Sequence, residues 1–159
     1  MANPLTLLMP VVPNTAVTTL VTLIAKNQAS IDAALTSIGT VHFARFLILD
    51  ASVPNLQPTP TANNNLVLAV ITEYDGDFDA YISDFVKQLG NVFNALLFYV
   101  VGAEPLIRVQ DHLSEFQAFI KANDYSQMPG APSLYGAYPY TVQTILADCG
   151  SDAATGAAS

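Results

Sequence analysis

The ten-residue stretch VHFARFLILD at positions 41–50 has the length and composition of a β-strand, but it is apolar on both faces. Because side chains alternate along a strand, one face would carry His42, Ala44, Phe46 and Ile48, and the other Phe43, Arg45, Leu47 and Leu49. An antiparallel sheet with helices on one side normally carries polar side chains on the other, because that side meets water. This stretch therefore predicts a sheet that is covered on both sides.

The stretch LVLAVITEY at positions 66–74 repeats the two-sided apolar pattern. The simplest cover for the helix-free side is the same side of a second copy, which gives a two-fold dimer with a shared core. The composition agrees, because 52% of the residues are hydrophobic and only 11% are charged, whereas about a quarter are charged in ordinary soluble domains. We therefore predict a homodimer or a higher homo-oligomer.

Hydrophobic spacing divides the rest of the chain into further elements. It predicts strands at 5–12, 41–50, 66–74 and 134–147, and helices at 13–39, 78–100 and 109–124. Asn14 or Thr15 is placed to cap the first helix, Gly39 to end it and Asp77 to cap the second. Pro139 cannot donate to a ladder, so the last strand is expected at a sheet edge. Gly90 inside the second helix indicates a tight packing position or a kink.

The order of these elements predicts the fold. It is an α+β, ferredoxin-like βαββαβ antiparallel sheet with helices on one face and an extra helix before the last strand. Right-handed crossovers would place the first and third strands in the centre and the second and fourth at the edges. Residues 1–146 are expected to form a single domain, and the small, polar residues 147–159 a flexible C-terminal tail.

Charge and composition exclude several partners and cofactors. Five basic and thirteen acidic side chains give a net charge of -8, which repels nucleic acid and anionic membrane surfaces. A single cysteine and two histidines offer no structural zinc site, and we predict neither a metal nor another cofactor. The chain shows no signal-peptide pattern and no apolar run long enough to span a membrane, so a cytoplasmic location is expected.

Four stretches carry a resemblance to a known family: LTLLMPVVPNTAVTTL, GTVHFARFLILD, TEYDGDFDAYISDFV and IKANDYSQMPGAPSLYGAYPYTVQTIL. With the strand order, they make the chain similar to the dimeric α+β barrel superfamily. That superfamily includes cofactor-free monooxygenases, stress-response barrel proteins, chlorite dismutases and dye-decolorizing peroxidases. Within it, the chain looks most like poorly characterised bacterial proteins associated with peroxidase or catalase-like genes. The resemblance covers 5–146 and implies a fold and a dimeric assembly rather than a reaction.

The segment TEYDGD at positions 72–77 resembles the Gly-x-x-Asp-Gly motif of dye-decolorizing peroxidases, in which the aspartate works beside haem. Thr72 replaces the first glycine of that motif. The alternative interpretation is a turn in which Asp77 caps the following helix and complements its dipole. That interpretation is preferred here, and a haem-dependent peroxidase-like role is the least favoured alternative.

Five residues are candidate ligand-binding residues: His42, Arg45, Glu73, Tyr138 and Tyr140. A cation in an apolar strand needs a counter-charge, and Glu73 on the neighbouring strand has the parity to pair with Arg45. The alternative is that Arg45 binds a ligand carboxylate inside the barrel. His42 is either a general base, a haem ligand or a polar residue at the sheet rim. The two tyrosines suit half-wet positions at an interface.

Two function classes follow from these residues. The first is a homodimeric α+β barrel protein with a structural role or a role in binding a small apolar molecule. The second is a small cofactor-free oxygenase or isomerase in which His42 is the base and Arg45 holds an anion. A cavity of a few hundred Å³ lined by both residues would favour the enzyme, because small-molecule sites have about that volume.

Overall fold

The computed structural model describes residues 2–127 and 136–155 and shows an α+β fold with helices packed against an antiparallel sheet. The elements are β1 (Ala2–Pro10), β2 (Thr15–Ala16), α1 (Val17–Ile38), β3 (Val41–Asp50), β4 (Ala62–Asn63), β5 (Leu66–Asp75), α2 (Phe78–Leu97), α3 (Leu113–Asn123) and α4 (Val142–Thr155). Single 3-10 turns lie at Glu104–Leu106, between α2 and α3, and at Tyr125–Gln127, between α3 and α4. No helix in the described part of the chain is long and apolar enough to cross a membrane.

The main sheet has three antiparallel strands in the order β1-β5-β3. The first three predicted strands are therefore confirmed, and the predicted third strand does lie between the other two. The first strand was also expected in the centre, but β1 is an edge strand of the described sheet because no fourth strand pairs with it. The crossover from β1 through α1 to β3 leaves room for β5, which returns between them. A separate two-stranded pair, β2 with β4, closes the loop between β3 and β5 onto the start of α1.

The predicted fourth strand at 134–147 is wrong over its described part, because Val142–Thr155 forms α4 and 136–141 contains no strand. Val142, Ile145 and Leu146 have helical spacing, and the Thr141 Oγ1 accepts the Thr144 N–H at 3.1 Å, as an N-cap residue does. Tyrosine, valine and threonine content favoured the strand, but local capping favours the helix. The helix also includes 147–155 of the expected tail. Residues 134–135 and 156–159 lie outside the described part.

The outer edge of β1, where the fourth strand was expected, meets the residues after α3 instead. Asp124 forms an isolated bridge with Leu7, and its Oδ1 accepts the Thr6 N–H at 3.0 Å. The Ser126 hydroxyl lies 3.1 Å from the Pro4 carbonyl oxygen, to which it donates. A turn thus provides hydrogen-bond partners for some of the backbone groups at the outer edge of β1. Residues 128–135, which follow this turn, lie outside the described part.

The hydrophobic core lies between one face of the sheet and the helices α1, α2 and α3. On the central strand this face carries five buried side chains: Leu66, Leu68, Val70, Thr72 and Tyr74. The apolar stripe predicted along α2 is buried against them, and α3 adds Phe116 and Ile120.

Among the buried polar groups, the Tyr81 hydroxyl lies 2.7 Å from the Thr72 Oγ1. Burial raises the pKa of Tyr81, so this hydroxyl stays protonated.

Glycines at two positions have a clear structural reason. Gly39 ends α1 in the left-handed region at φ 66°, and its N–H donates to the Leu35 carbonyl, so the predicted C-cap is confirmed. At Gly90 a Cβ atom would lie 2.3 Å from the Gln110 Nε2, which confirms the predicted tight packing position. The glycine therefore lets the Gln110 side chain lie against α2, where it hydrogen bonds to Asn94 and Asn91.

The two long helices begin differently. The prediction that Asn14 or Thr15 caps α1 is wrong, because Ala16 is the N-cap residue and offers no side-chain bond. Asn14 lies at φ 62° and its N–H donates to the Asn64 side chain, while the Thr15 hydroxyl donates to the Val12 carbonyl. These residues fix the turn before the helix instead.

The predicted cap on α2 is confirmed, because one Asp77 oxygen accepts the N–H groups of Asp79 and Ala80, each at 3.0 Å. We expect Asp77→Ala to lower the free energy of unfolding by about 1 kcal/mol, since two N–H groups lose their acceptor. Asp77→Asn keeps an acceptor oxygen and serves as the control. Urea unfolding of both variants measures the difference, and equal losses would contradict the capping role.

Candidate functional site

A cleft of about 350 Å³ lies where the end of α1, the start of β3 and the start of α4 meet. Six apolar side chains line it: Leu35, Val41, Phe43, Val142, Ile145 and Leu146. Thr36 and His42 are its polar side chains. The volume and the mostly apolar lining with few polar groups are those of sites that hold small molecules.

His42 reaches this cleft because the ladder between β3 and β5 is irregular there. Val41 lies opposite Tyr74 and Phe43 lies opposite Glu73, so His42 is an extra residue between two regular pairs. Such a bulge re-aims the side chain of the inserted residue. The bulge thus places an imidazole at the end of the sheet, where β3 begins and β5 ends.

Asp75, the last residue of β5, is the partner of this imidazole. The His42 Nε2 lies 3.2 Å from the Asp75 Oδ1, and both side chains are only 12% exposed. The other carboxylate oxygen, Oδ2, accepts the N–H of Val142 at 2.8 Å. A single carboxylate therefore holds both the imidazole and the first turn of α4.

The start of α4 is also tied to the end of α1. The Gln143 Nε2 donates to the Gly39 carbonyl oxygen at 2.6 Å. With the Asp75 bond, this contact fixes the helix end at which backbone N–H groups lack partners and the dipole favours a negative charge. These bonds set the apolar residues of α4 against the mouth of the cleft.

The carboxylate determines what the imidazole can do. A carboxylate accepts hydrogen bonds only, so the Nε2 of His42 carries the proton that it donates to Asp75. In a neutral imidazole the other nitrogen, Nδ1, is then an acceptor. No described residue donates to Nδ1. The cleft therefore contains an oriented hydrogen-bond acceptor on His42, and the Thr36 hydroxyl is the other polar side chain in a mostly apolar lining.

No protein-family model, curated protein or solved structure matches the chain. Its function is therefore inferred from the geometry of the cleft and of the sheet.

Arg45 and Glu73 do not line this cleft, although both were predicted to bind ligand. Both lie on the helix-free face of the sheet, Arg45 opposite Ile71 and Glu73 opposite Phe43. They are diagonal neighbours, which are about 7–8 Å apart between Cα atoms in a sheet. No ion pair joins them in the described chain, so the prediction that Arg45 and Glu73 pair within one chain is wrong. This offset follows from the regular part of the β3–β5 ladder.

Tyr138 and Tyr140 lie in the irregular segment before α4. Their rings contact each other with centroids 5.6 Å apart, and the side chains are 61% and 50% exposed. Neither is among the residues that line the described clefts. Their predicted role in ligand binding stays a prediction.

The sequence interpretation missed the pairing of Asp75 with His42 and the three α4 residues of the cleft. Asp75 had a usable signal, because antiparallel pairing of the second and third strands brings the start of one to the end of the other. The contribution of Val142, Ile145 and Leu146 was hidden by the wrong strand assignment. Their spacing of three and one is the signal for a helix face.

A second cleft, of about 480 Å³, lies along the outer edge of β3 against α1. Its lining is apolar apart from Gln28 and Gln57, and none of the described residues that line it is ionisable. Within 2–127 and 136–155, no three histidine, cysteine, aspartate or glutamate side chains form a group that could hold a metal ion. The cleft beside His42 is therefore the better candidate for specific chemistry.

Proposed function

We propose that this chain is a homodimer of the α+β barrel type that binds a small apolar molecule in the cleft beside His42. The observation that carries the ligand-binding role is the cleft itself, with its volume of about 350 Å³. Apolar walls supply the affinity, and a small number of polar groups fix the orientation of the bound molecule. The His42–Asp75 pair provides such groups.

The dimer is supported by the helix-free face of the sheet. This face carries seven apolar side chains: Leu8, Phe43, Leu47, Leu49, Val67, Ala69 and Ile71. Phe43 is 42% exposed, and most of the others are partly exposed. An apolar patch of this kind on a chain with few charges favours contact with another protein surface.

The charges on this face favour a second copy as the occupant. Arg45 is exposed and Glu73 is half-buried, and neither forms an ion pair with another described residue. We propose that Arg45 of each subunit meets Glu73 of the partner subunit, a contact that a two-fold axis would form twice. One surface would thus supply both charges of two identical ion pairs.

The relation to the ferredoxin-like fold rests on three strands. In β1, β5 and β3 the described chain has the split βαβ arrangement, in which two strands flank a third that runs the opposite way. The fourth strand of that fold has no equivalent among the described residues. The proposed barrel would therefore be built from two three-stranded sheets.

The ligand-binding role is tested with a variant that fills the cleft. Thr36→Trp is expected to weaken binding of naphthalene-sized apolar probes at least about tenfold, because the indole occupies their volume. Ala33→Trp, on an exposed position of the same helix, is the matched control and should bind normally. Titrations followed by NMR give the dissociation constants. Failure of the unmodified protein to bind any such probe would overturn the proposal.

A cofactor-free oxygenase or isomerase is the second candidate, and the oriented His42 is the observation that favours it. Arg45 lies outside the cleft, so this alternative lacks the predicted anion holder there. A haem-dependent peroxidase-like role has the least support. Thr72, at the motif's glycine position, is buried against Tyr81, and the motif's aspartate, Asp75, already holds His42 and α4.

A further inference from the structure

We propose that the His42–Asp75 pair makes the cleft selective for an apolar molecule that carries one hydrogen-bond-donating hydroxyl, of the phenol or enol class. In this arrangement the ligand hydroxyl donates to the Nδ1 of His42. The inference rests on the proposed ligand-binding function, because the apolar part of the molecule must occupy the cleft.

The preference for a donor follows from the fixed tautomer. Asp75 accepts from Nε2 at 3.2 Å, so Nδ1 is the acceptor that remains. A ligand without a donor would remove Nδ1 from water and leave it unpaired, which costs binding free energy. Sites built around such a buried polar group reject analogues that lack its partner more strongly than they reject changes in apolar size.

The charges around the cleft explain why the ligand should be neutral. Neither lysine nor arginine is among the residues that line it. The Asp75 carboxylate adjoins it, and a ligand carboxylate would be placed next to this negative charge without a cation. A neutral hydroxyl meets no such repulsion. The cleft thus combines mostly apolar walls, the acceptor on His42, the Thr36 hydroxyl and a nearby negative charge.

Asp75 is a positioning residue in this proposal. Asp75→Asn tests this role, because a residue with only a structural role would not change which ligand the cleft prefers. The Val142 N–H needs an acceptor, so the single amide oxygen of the asparagine would take that side. The amide NH2 would then face His42 and donate to Nε2, which forces the proton onto Nδ1. The cleft would present a donor instead of an acceptor, and the ligand preference would reverse.

The experiment compares three probes of matched shape: 2-naphthol as donor, 2-methylnaphthalene as apolar reference and 2-acetonaphthone as acceptor. The unmodified protein is expected to bind 2-naphthol about tenfold more tightly than the reference. His42→Phe should abolish that preference, and Asp75→Asn should transfer it to 2-acetonaphthone. His112→Gln, which changes a histidine that does not line the cleft, should leave it unchanged. Nitrogen chemical shifts of the His42 ring report the tautomer independently.

The outcomes separate this inference from the function on which it rests. Equal binding of 2-naphthol and 2-methylnaphthalene would overturn the selectivity while leaving the apolar binding function intact. Binding of none of the three would overturn that function itself. A folded Asp75→Asn variant that still prefers 2-naphthol, with its tautomer unchanged, would overturn the role of Asp75.

Discussion

Arg45→Glu is expected to dissociate the proposed homodimer by raising its dissociation constant about a hundredfold or more. The substitution places a glutamate where the dimer would bring Glu73 of the partner subunit, so two attractive pairs become two repulsive ones. Changes of this kind at partly buried interface charges cost about 2–5 kcal/mol, and every 1.4 kcal/mol is about tenfold in affinity. Sedimentation velocity over a range of protein concentrations measures the change.

The charge-swapped double variant Arg45→Glu with Glu73→Arg should recover most of the association, because it restores both pairs in reverse order. Lys87→Glu is the matched control, since it makes the same change in net charge at an exposed position on α2. If Arg45→Glu stays as dimeric as the unmodified protein, the helix-free face is not the interface. If the double variant remains monomeric, Arg45 and Glu73 do not pair with each other across the two-fold axis.

Phe116→Ala is expected to lower the free energy of unfolding by about 3–5 kcal/mol. Phe116 is 1% exposed, and its ring lies 5.4 Å from that of Phe93 between centroids. Phe116 and Ile120 are the buried residues of α3, and Leu113 and Phe119 pack beside them. The substitution therefore removes a main core contact of the helix and leaves a cavity against α2. Urea unfolding followed by circular dichroism provides the measurement.

The control for that variant is Phe98→Ala, which removes a ring of the same size from a position that is 67% exposed. Its effect should stay within about 1 kcal/mol, because surface substitutions leave little cavity. If the two variants lost similar stability, α3 would not be packed on the core as described.

The parts of the fold that hydrophobic period determines could be predicted from the sequence. The strand at Val41–Asp50 has its predicted bounds, and the apolar stripe of α2 with the Asp77 cap is confirmed. The segment before and within α4 could not be assigned in this way. Its tyrosine, valine and threonine residues favour a strand by propensity, whereas its helix depends on a threonine cap and on bonds to Gly39 and Asp75. Tertiary contacts override propensity in such short segments.

The candidate site was only partly predictable. His42 was identified as a candidate from its place in an apolar strand. No partner was predicted for its imidazole, and Arg45 was expected to line the same cavity. Strict alternation cannot reveal a bulge, and the bulge determines where the His42 side chain lies. It directs His42 toward the cleft, whereas the regular part of the ladder places Arg45 opposite Ile71 and not opposite Glu73. The two functions proposed for this chain, ligand binding and dimerisation, meet at Phe43, which lines the cleft and also lies on the helix-free face of the sheet.

Because His42 is inserted between two regular pairs, the strand does not need it. Without this residue, Val41 and Phe43 would still lie opposite Tyr74 and Glu73, and the inward and outward sides would alternate without interruption. Loss of one codon would therefore yield the same sheet with no imidazole in it. The histidine is a separable addition to the architecture, which can be acquired or discarded without rebuilding the core.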